Sequence, residues 1–160
     1  MQVGNILMKD QDFAKFLVYS KDLNVNIMDL PDIENTIPKL KNKKVFFNRR
    51  VDQILNEGDI WVYITLYNYL PFSRRFEKSK VIDVTKIEVG VVCHKDCRDS
   101  LIGLRDVGLI TRVSKLLTSK SLGLGNITLD GVSPSYNMPP EYTGFRGVFS
   151  IDHFGEITEC

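Results

Sequence analysis

Histidine, cysteine and tryptophan are scarce in this chain: two, three and one among 160 residues. So few imidazoles and thiols leave little material for metal centres or nucleophilic catalysis. An odd number of cysteines argues for reduced thiols in a cytosolic protein and against a disulfide scaffold. No apolar run approaches the ~20 residues that a membrane span requires, so no membrane is expected as a partner. Residues 1–12 also lack the basic start and long apolar stretch of a secretory signal. Neither sign of charge is in surplus, since 21 Lys and Arg against 20 Asp and Glu leave +1. A surface given over wholly to nucleic acid or anionic lipid is thereby excluded, whereas a local basic patch survives the sum. Internal repeats and low-complexity stretches are missing too. What remains is a hydrophobic fraction of 43%, enough for a core in one domain spanning residues 1–160.

Recognisable chemistry is equally thin. Cys93-His94-Lys95-Asp96-Cys97 offers up to three N/S ligands, but zinc sites draw a second ligand pair from a distant segment. His153 and Cys160 do not form such a pair, so no metal is expected. A catalytic nucleophile needs a histidine in a suitable setting, and neither His94 nor His153 lies in one. Gly123-Leu124-Gly125-Asn126 follows a helical pattern instead of preceding one, which makes it a helix stop and not a phosphate cradle. The acidic pairs Asp29/Asp32 and Asp96/Asp99 sit in polar loops, with nothing apolar to push their pKa values apart. No enzymatic activity and no cofactor are expected.

Periodicity gives more. Asp10 can cap a helix over Asp10 to Ser20. Asn24 to Pro38, broken by prolines, reads as an irregular arm, with flexibility expected over about 21–44. Lys39 to Arg50 carries Lys41, Lys43, Lys44, Arg49 and Arg50 without an acid, around a short strand at Val45 to Asn48. It is either a solvated loop or a contact for phosphates or an acidic partner. Phe46 and Phe47 among these cations suit a single-strand stacking platform or an ordinary buried strand, so a nucleic-acid-binding accessory role stays open. Asp59 to Leu70 alternates Ile60, Val62, Ile64 and Leu66 with Trp61, Tyr63, Thr65, Tyr67 and Tyr69. Its aliphatic face points to the core. Its aromatic face is either a subunit interface, formed by Trp61, Tyr63, Tyr67 and Tyr69, or is covered within its own chain. A basic loop with Arg74 and Arg75 leads to a second long strand, Val81 to His94, and the two make an antiparallel hairpin. Asp99 to Lys120 is expected to be helical with a break near Asp106, followed by strands at Asn126 to Val132 and Gly144 to Phe154. A Pro-rich loop at about 133–143 separates them. The fold class is therefore α+β: an antiparallel or mixed sheet of four or more strands with two main helices on one face.

This order, with Ile60-Trp61-Val62-Tyr63-Ile64, Val89-Gly90-Val91-Val92-Cys93-His94, the helix around Ile110 to Leu117, and the closing Val148-Phe149-Ser150-Ile151-Asp152-His153-Phe154, resembles the small neck proteins of tailed bacteriophages. The likeness runs from about Lys9 to Phe154 and is greatest to the tail terminator, or tail completion, family. The resemblance implies a non-enzymatic subunit of a homo-oligomeric ring, on the order of six or twelve copies, at the head–tail junction of the virion. Its partners would be adjacent neck, portal-adaptor or tail-tube proteins, with non-specific contact to packaged DNA and assembly in the host cytoplasm. The basic residues Lys41, Lys43, Lys44, Arg49, Arg50, Arg74 and Arg75 would face the DNA channel or the next ring. The longer N-terminal arm and the Pro-rich loop depart from shorter terminators and keep a head-closure (stopper) or connector-adaptor role open.

Overall fold

Strand periodicity of two places Val62, Ile64, Val89 and Val91 on one side of a sheet, and helices seal that side. The computed structural model describes residues 2–22, 24–47, 58–70, 80–118, 120–121, 125–136 and 138–156, with the backbone alone at 68–70, 80–84 and 152–156. In chain order come α1 (Gln2–Lys9), α2 (Gln11–Val18), a 3-10 turn (Ile27–Asp29), α3 (Thr36–Leu40), β1 (Val45–Phe46), β2 (Ile60–Leu70) and β3 (Lys80–His94). Then follow α4 (Lys95–Arg98), β4 (Asp99–Ser100), β5 (Gly103–Leu104), α5 (Arg105–Leu117), β6 (Ile127–Pro134) and β7 (Tyr142–Glu156). Five strands form one sheet in the order β1-β2-β3-β7-β6, and β4-β5 is a separate small hairpin. β1 runs parallel to β2 and every other pairing in the sheet is antiparallel. The α+β class with a mixed sheet follows, as the periodicity indicates.

The core lies between the helices and the face carrying Ile60, Val62, Ile64, Val89, Val91, Phe149 and Ile151. α5 contributes Leu109, Ile110, Val113 and Leu117, at the spacing of one helical stripe. Phe13, Phe16 and Leu17 of α2 pack beside them, and the Phe16 ring lies where a side chain on Gly108 would stand, 2.9 Å from its Cβ position. Asp10 caps α2 by accepting from the Phe13 N–H at 2.9 Å. The same carboxylate receives two bonds from Arg112 of α5, at 2.9 and 2.6 Å, so one charged pair ties the two helices together.

Three local expectations are corrected. α1 precedes the expected first helix; Val3, Leu7 and Met8 fall on one of its faces and are buried. The segment read as an arm packs onto α2 rather than standing free. Ile27, Ile33 and Leu40 are buried, although their spacing follows no regular period. Side chains of α2 satisfy the irregular backbone: Gln11 bonds Ile33 through both its N–H and its carbonyl (3.0 and 3.2 Å), and Lys15 donates to the Met28 carbonyl. Finally, 99–104 is a hairpin and not the start of a helix. Gly103 holds φ +105°, a left-handed conformation that a helix cannot use and glycine tolerates.

Two glycines in the sheet should respond oppositely to alanine. A Cβ on Gly144 would stand 2.0 Å from the Val91 carbonyl oxygen, a backbone atom fixed by the ladder, whereas one on Gly131 meets nothing within 4 Å. Gly144→Ala is expected to lower stability to urea by about 3 kcal/mol. Gly131→Ala is expected to leave it unchanged or raise it by about 0.5 kcal/mol. Equal effects at both sites would contradict this packing.

Candidate functional site

The aromatic side of β2 is the candidate interface to which the sequence points. Trp61 and Tyr63 are 2% and 4% exposed, so the chain itself covers the residues expected at a subunit interface. The cover comes from three directions. β1 alongside brings Phe46 edge-on to Trp61 at 6.5 Å, β7 begins with Tyr142 edge-on at 6.3 Å, and the Pro-rich loop adds Met138. Tyr63 lies over Gly90, where any Cβ would stand 2.0 Å from the ring, and its hydroxyl donates to Glu88 at 2.8 Å. Glu88, itself buried, pairs with Arg146, whose Nε donates to Ser133. Further along, Lys86 and Ser150 both bond Asp130 at 2.8 Å. The face without helices is thus closed by an aromatic cluster and a polar network. Tyr67 is exposed, and the Tyr69 side chain lies outside the described residues.

The basic residues divide as well. Lys41 and Lys43 are exposed on the turn between α3 and β1, where Asn42 has φ +59°. Lys44 instead turns inward and forms an ion pair with Asp59, which also accepts from Ser20 at 2.5 Å and from the Ile60 N–H at 2.7 Å. Lys44 is therefore engaged within its own chain rather than free on the basic turn. Burial alone would raise the Asp59 pKa. The hydrogen bonds from Lys44, Ser20 and Ile60, with the Lys44 charge, outweigh it and hold the carboxyl below its usual 3.8. Arg49, Arg50, Arg74 and Arg75 lie outside the described residues.

Cys93 and His94 close β3, and Cys97 lies in α4. Burial pushes the Cys93 thiol up to about 12 and raises Cys97 too, so both are protonated and unreactive at neutral pH. Cys97 contacts the Gly58 carbonyl, and the His94 ring accepts from the Asp96 N–H as the cap of α4. Among the described residues no His, Cys, Asp or Glu set of three could hold a metal ion. Nearby, the fully buried Arg105 donates to the carbonyls of Tyr19 and Asp22 just past α2, and burial lowers its pKa. Asp106 beside it accepts from Arg98, Thr143 and the Val107 N–H. These charges lock the helix junction.

The surface the sequence does not announce is the β4-β5 hairpin. Leu101 is 70% exposed, and Ile102, Leu104 and Val107 are each exposed by about two-fifths, at 41%, 42% and 40%. The signal was Gly103 directly after two aliphatic residues, a turn pattern hidden inside an apparently helical stretch. A second apolar feature is a cleft of about 300 Å³ lined by Val3, Gly4, Phe47, Ile64, Leu66 and Ile87. Its floor depends on Gly4, where a Cβ would stand 2.5 Å from the Phe47 ring. Leu66, placed with the core face by alternation, is 70% exposed at the lip of this cleft, because the helix layer ends before it.

Fold and surface together define an α+β protein with a mixed five-stranded sheet whose candidate site is apolar contact surface. No helix among the described residues is long and apolar enough to cross a membrane. The chain belongs to the YomW family, whose model matches residues 10–151, and it is a phage-associated protein. A comparison with curated proteins gave no match.

The Lys44–Asp59 pair carries an expected pH dependence. Because the folded carboxyl titrates below 3.8, its stabilisation is complete above that value and disappears as the pH falls through the folded pKa. Asp59→Asn should therefore melt below wild type at pH 7, with the gap closing in scans below about pH 4. A gap that stays constant with pH would mean that the pair does not supply it.

Proposed function

We propose that this protein is a structural component of a tailed-phage virion, forming a homo-oligomeric ring at the head–tail junction in the tail terminator role. Membership of a phage-associated family is the observation that carries the reading. The resemblance of the sequence to small neck proteins and the exposed apolar hairpin support it. The function is geometric and needs neither catalysis nor cofactor. A heterologous contact repeated around a closed ring ends the growing tail and presents a docking plane for the adjacent neck or tail-tube protein. Lys41 and Lys43, on one exposed turn, would meet phosphates of DNA passing through the ring or the acidic surface of the next layer. A stopper or adaptor position would use the same ring one layer away.

A phage deleted for this gene decides the role. The expected outcome is DNA-filled heads beside unjoined tails of uncontrolled length, with the protein present in purified wild-type virions. Filled heads that leak DNA, with tails of normal length, would move the protein to the stopper layer. Infectious virions of normal appearance would contradict the reading.

A further inference from the structure

We infer that the turn between α3 and β1 contacts the phosphate backbone of duplex DNA through Lys39, Lys41 and Lys43, without reading bases. The inference deepens the ring reading, which sends DNA through the assembly, and chooses between the two partners named there. Lys39 lies in the last turn of α3, and all three lysines are exposed. No carboxylate among the described residues pairs with any of them, whereas Lys15, Lys44, Lys86 and Arg112 each hold one.

These cations stand on fixed backbone. Leu40 and Val45, on either side of the turn, are fully buried. The Leu40 carbonyl accepts from the Lys43 and Lys44 N–H groups at 3.2 and 2.9 Å, and the Asn42 N–H donates to the Val45 carbonyl at 2.9 Å. Binding therefore orders lysine side chains and not the chain that carries them.

The residue types around the turn narrow the partner. A single-strand platform needs aromatic rings on which bases stack. Phe46 packs edge-on to Trp61, and the Phe47 ring packs against Gly4, so the fold itself uses both rings. What the segment keeps is the sequence-independent, charge-driven part of nucleic-acid binding. An acidic protein surface is the poorer match. Protein interfaces favour aromatic residues, Met and Arg and are depleted in Lys, and this turn exposes Lys, Asn and Pro38. A lysine ammonium is a compact, strongly hydrated point charge, suited to a row of phosphates. Duplex DNA offers one negative charge per ~1.7 Å of its axis. The chain as a whole carries only +1, so attraction to DNA has to come from a local patch that few substitutions remove.

Binding is read by fluorescence anisotropy of a labelled duplex of mixed sequence, with the full chain titrated to about 100 µM, the weak end of non-specific affinities. Wild type is expected to bind at low salt and to lose affinity steeply as salt rises. Lys39→Gln, Lys41→Gln and Lys43→Gln combined are expected to weaken binding about tenfold or more, with a salt slope shallower by about one per lysine. A control with the same change of charge, Lys21→Gln, Lys95→Gln and Lys115→Gln combined, alters exposed lysines on other elements and is expected to bind like wild type. Circular-dichroism melting checks that each variant folds, and the single changes Lys41→Gln and Lys43→Gln replace a triple variant that does not. Light scattering on the same samples reads assembly separately. A wild type that binds no DNA, a turn variant that binds like wild type, or a control that loses as much overturns the inference; an assembled mass in those samples leaves the ring reading standing. A turn variant that loses mass together with DNA also overturns it, by moving the lysines to a contact between copies. So does tighter binding to poly-glutamate, which would favour an acidic protein surface, or to a single strand. Duplex binding by a chain that never assembles upholds the inference and removes the ring.

Discussion

Pairing of β3 with β7 through all fifteen residues, from Lys80 opposite Glu156 to His94 opposite Tyr142, is the constraint on which the rest of the structure depends. Strand side chains alternate, so a slip of one residue would exchange the two faces. Val89 and Val91 would turn away from the helices, and the buried Glu88 would enter the apolar core without Tyr63 and Arg146 to satisfy it. An unpartnered carboxylate there would be strongly destabilising, which fixes the register. Gly90 and Gly144 add to the same selection, since each occupies a place where a side chain would collide with Tyr63 or with the Val91 carbonyl.

Once the register is set, both faces of the sheet around Ile60–Tyr63 and Val89–Val92 are covered by the same chain. Helices α2 and α5 cover one face and are linked by the Asp10–Arg112 pair. Trp61, Tyr63, Val92 and Tyr142 cover the other, with Met138 reaching in from the Pro-rich loop. The apolar surface left over lies at the edges of the fold, on the Leu101 hairpin and around Leu66. Leucine left exposed at a hairpin tip costs solubility.

Long alternating strands and the α5 stripe were legible in the sequence because each is a periodic signal within one continuous segment. β2 and β3 accordingly match expectation to within a residue or two. The fate of the aromatic face was not legible. Alternation reveals that a strand has two apolar sides, but not which distant residues will cover the second. Phe46, Met138 and Tyr142 come from three separate parts of the chain. The segment holding Ile27 and Ile33 escaped for a related reason: it is buried through irregular backbone whose donors and acceptors are met by Gln11, Lys15 and Tyr19. The hairpin escaped because four apolar residues near the start of a helix imitate the helix itself.

Imaging the assembled protein by electron cryo-microscopy, at a resolution that places side chains, tests the central claim most directly. The expected result is a closed ring whose copies meet through surface outside the Trp61 face, with Trp61 still enclosed by its own chain. A protein that stays a single chain, or a ring joined through an opened Trp61 face, would contradict it.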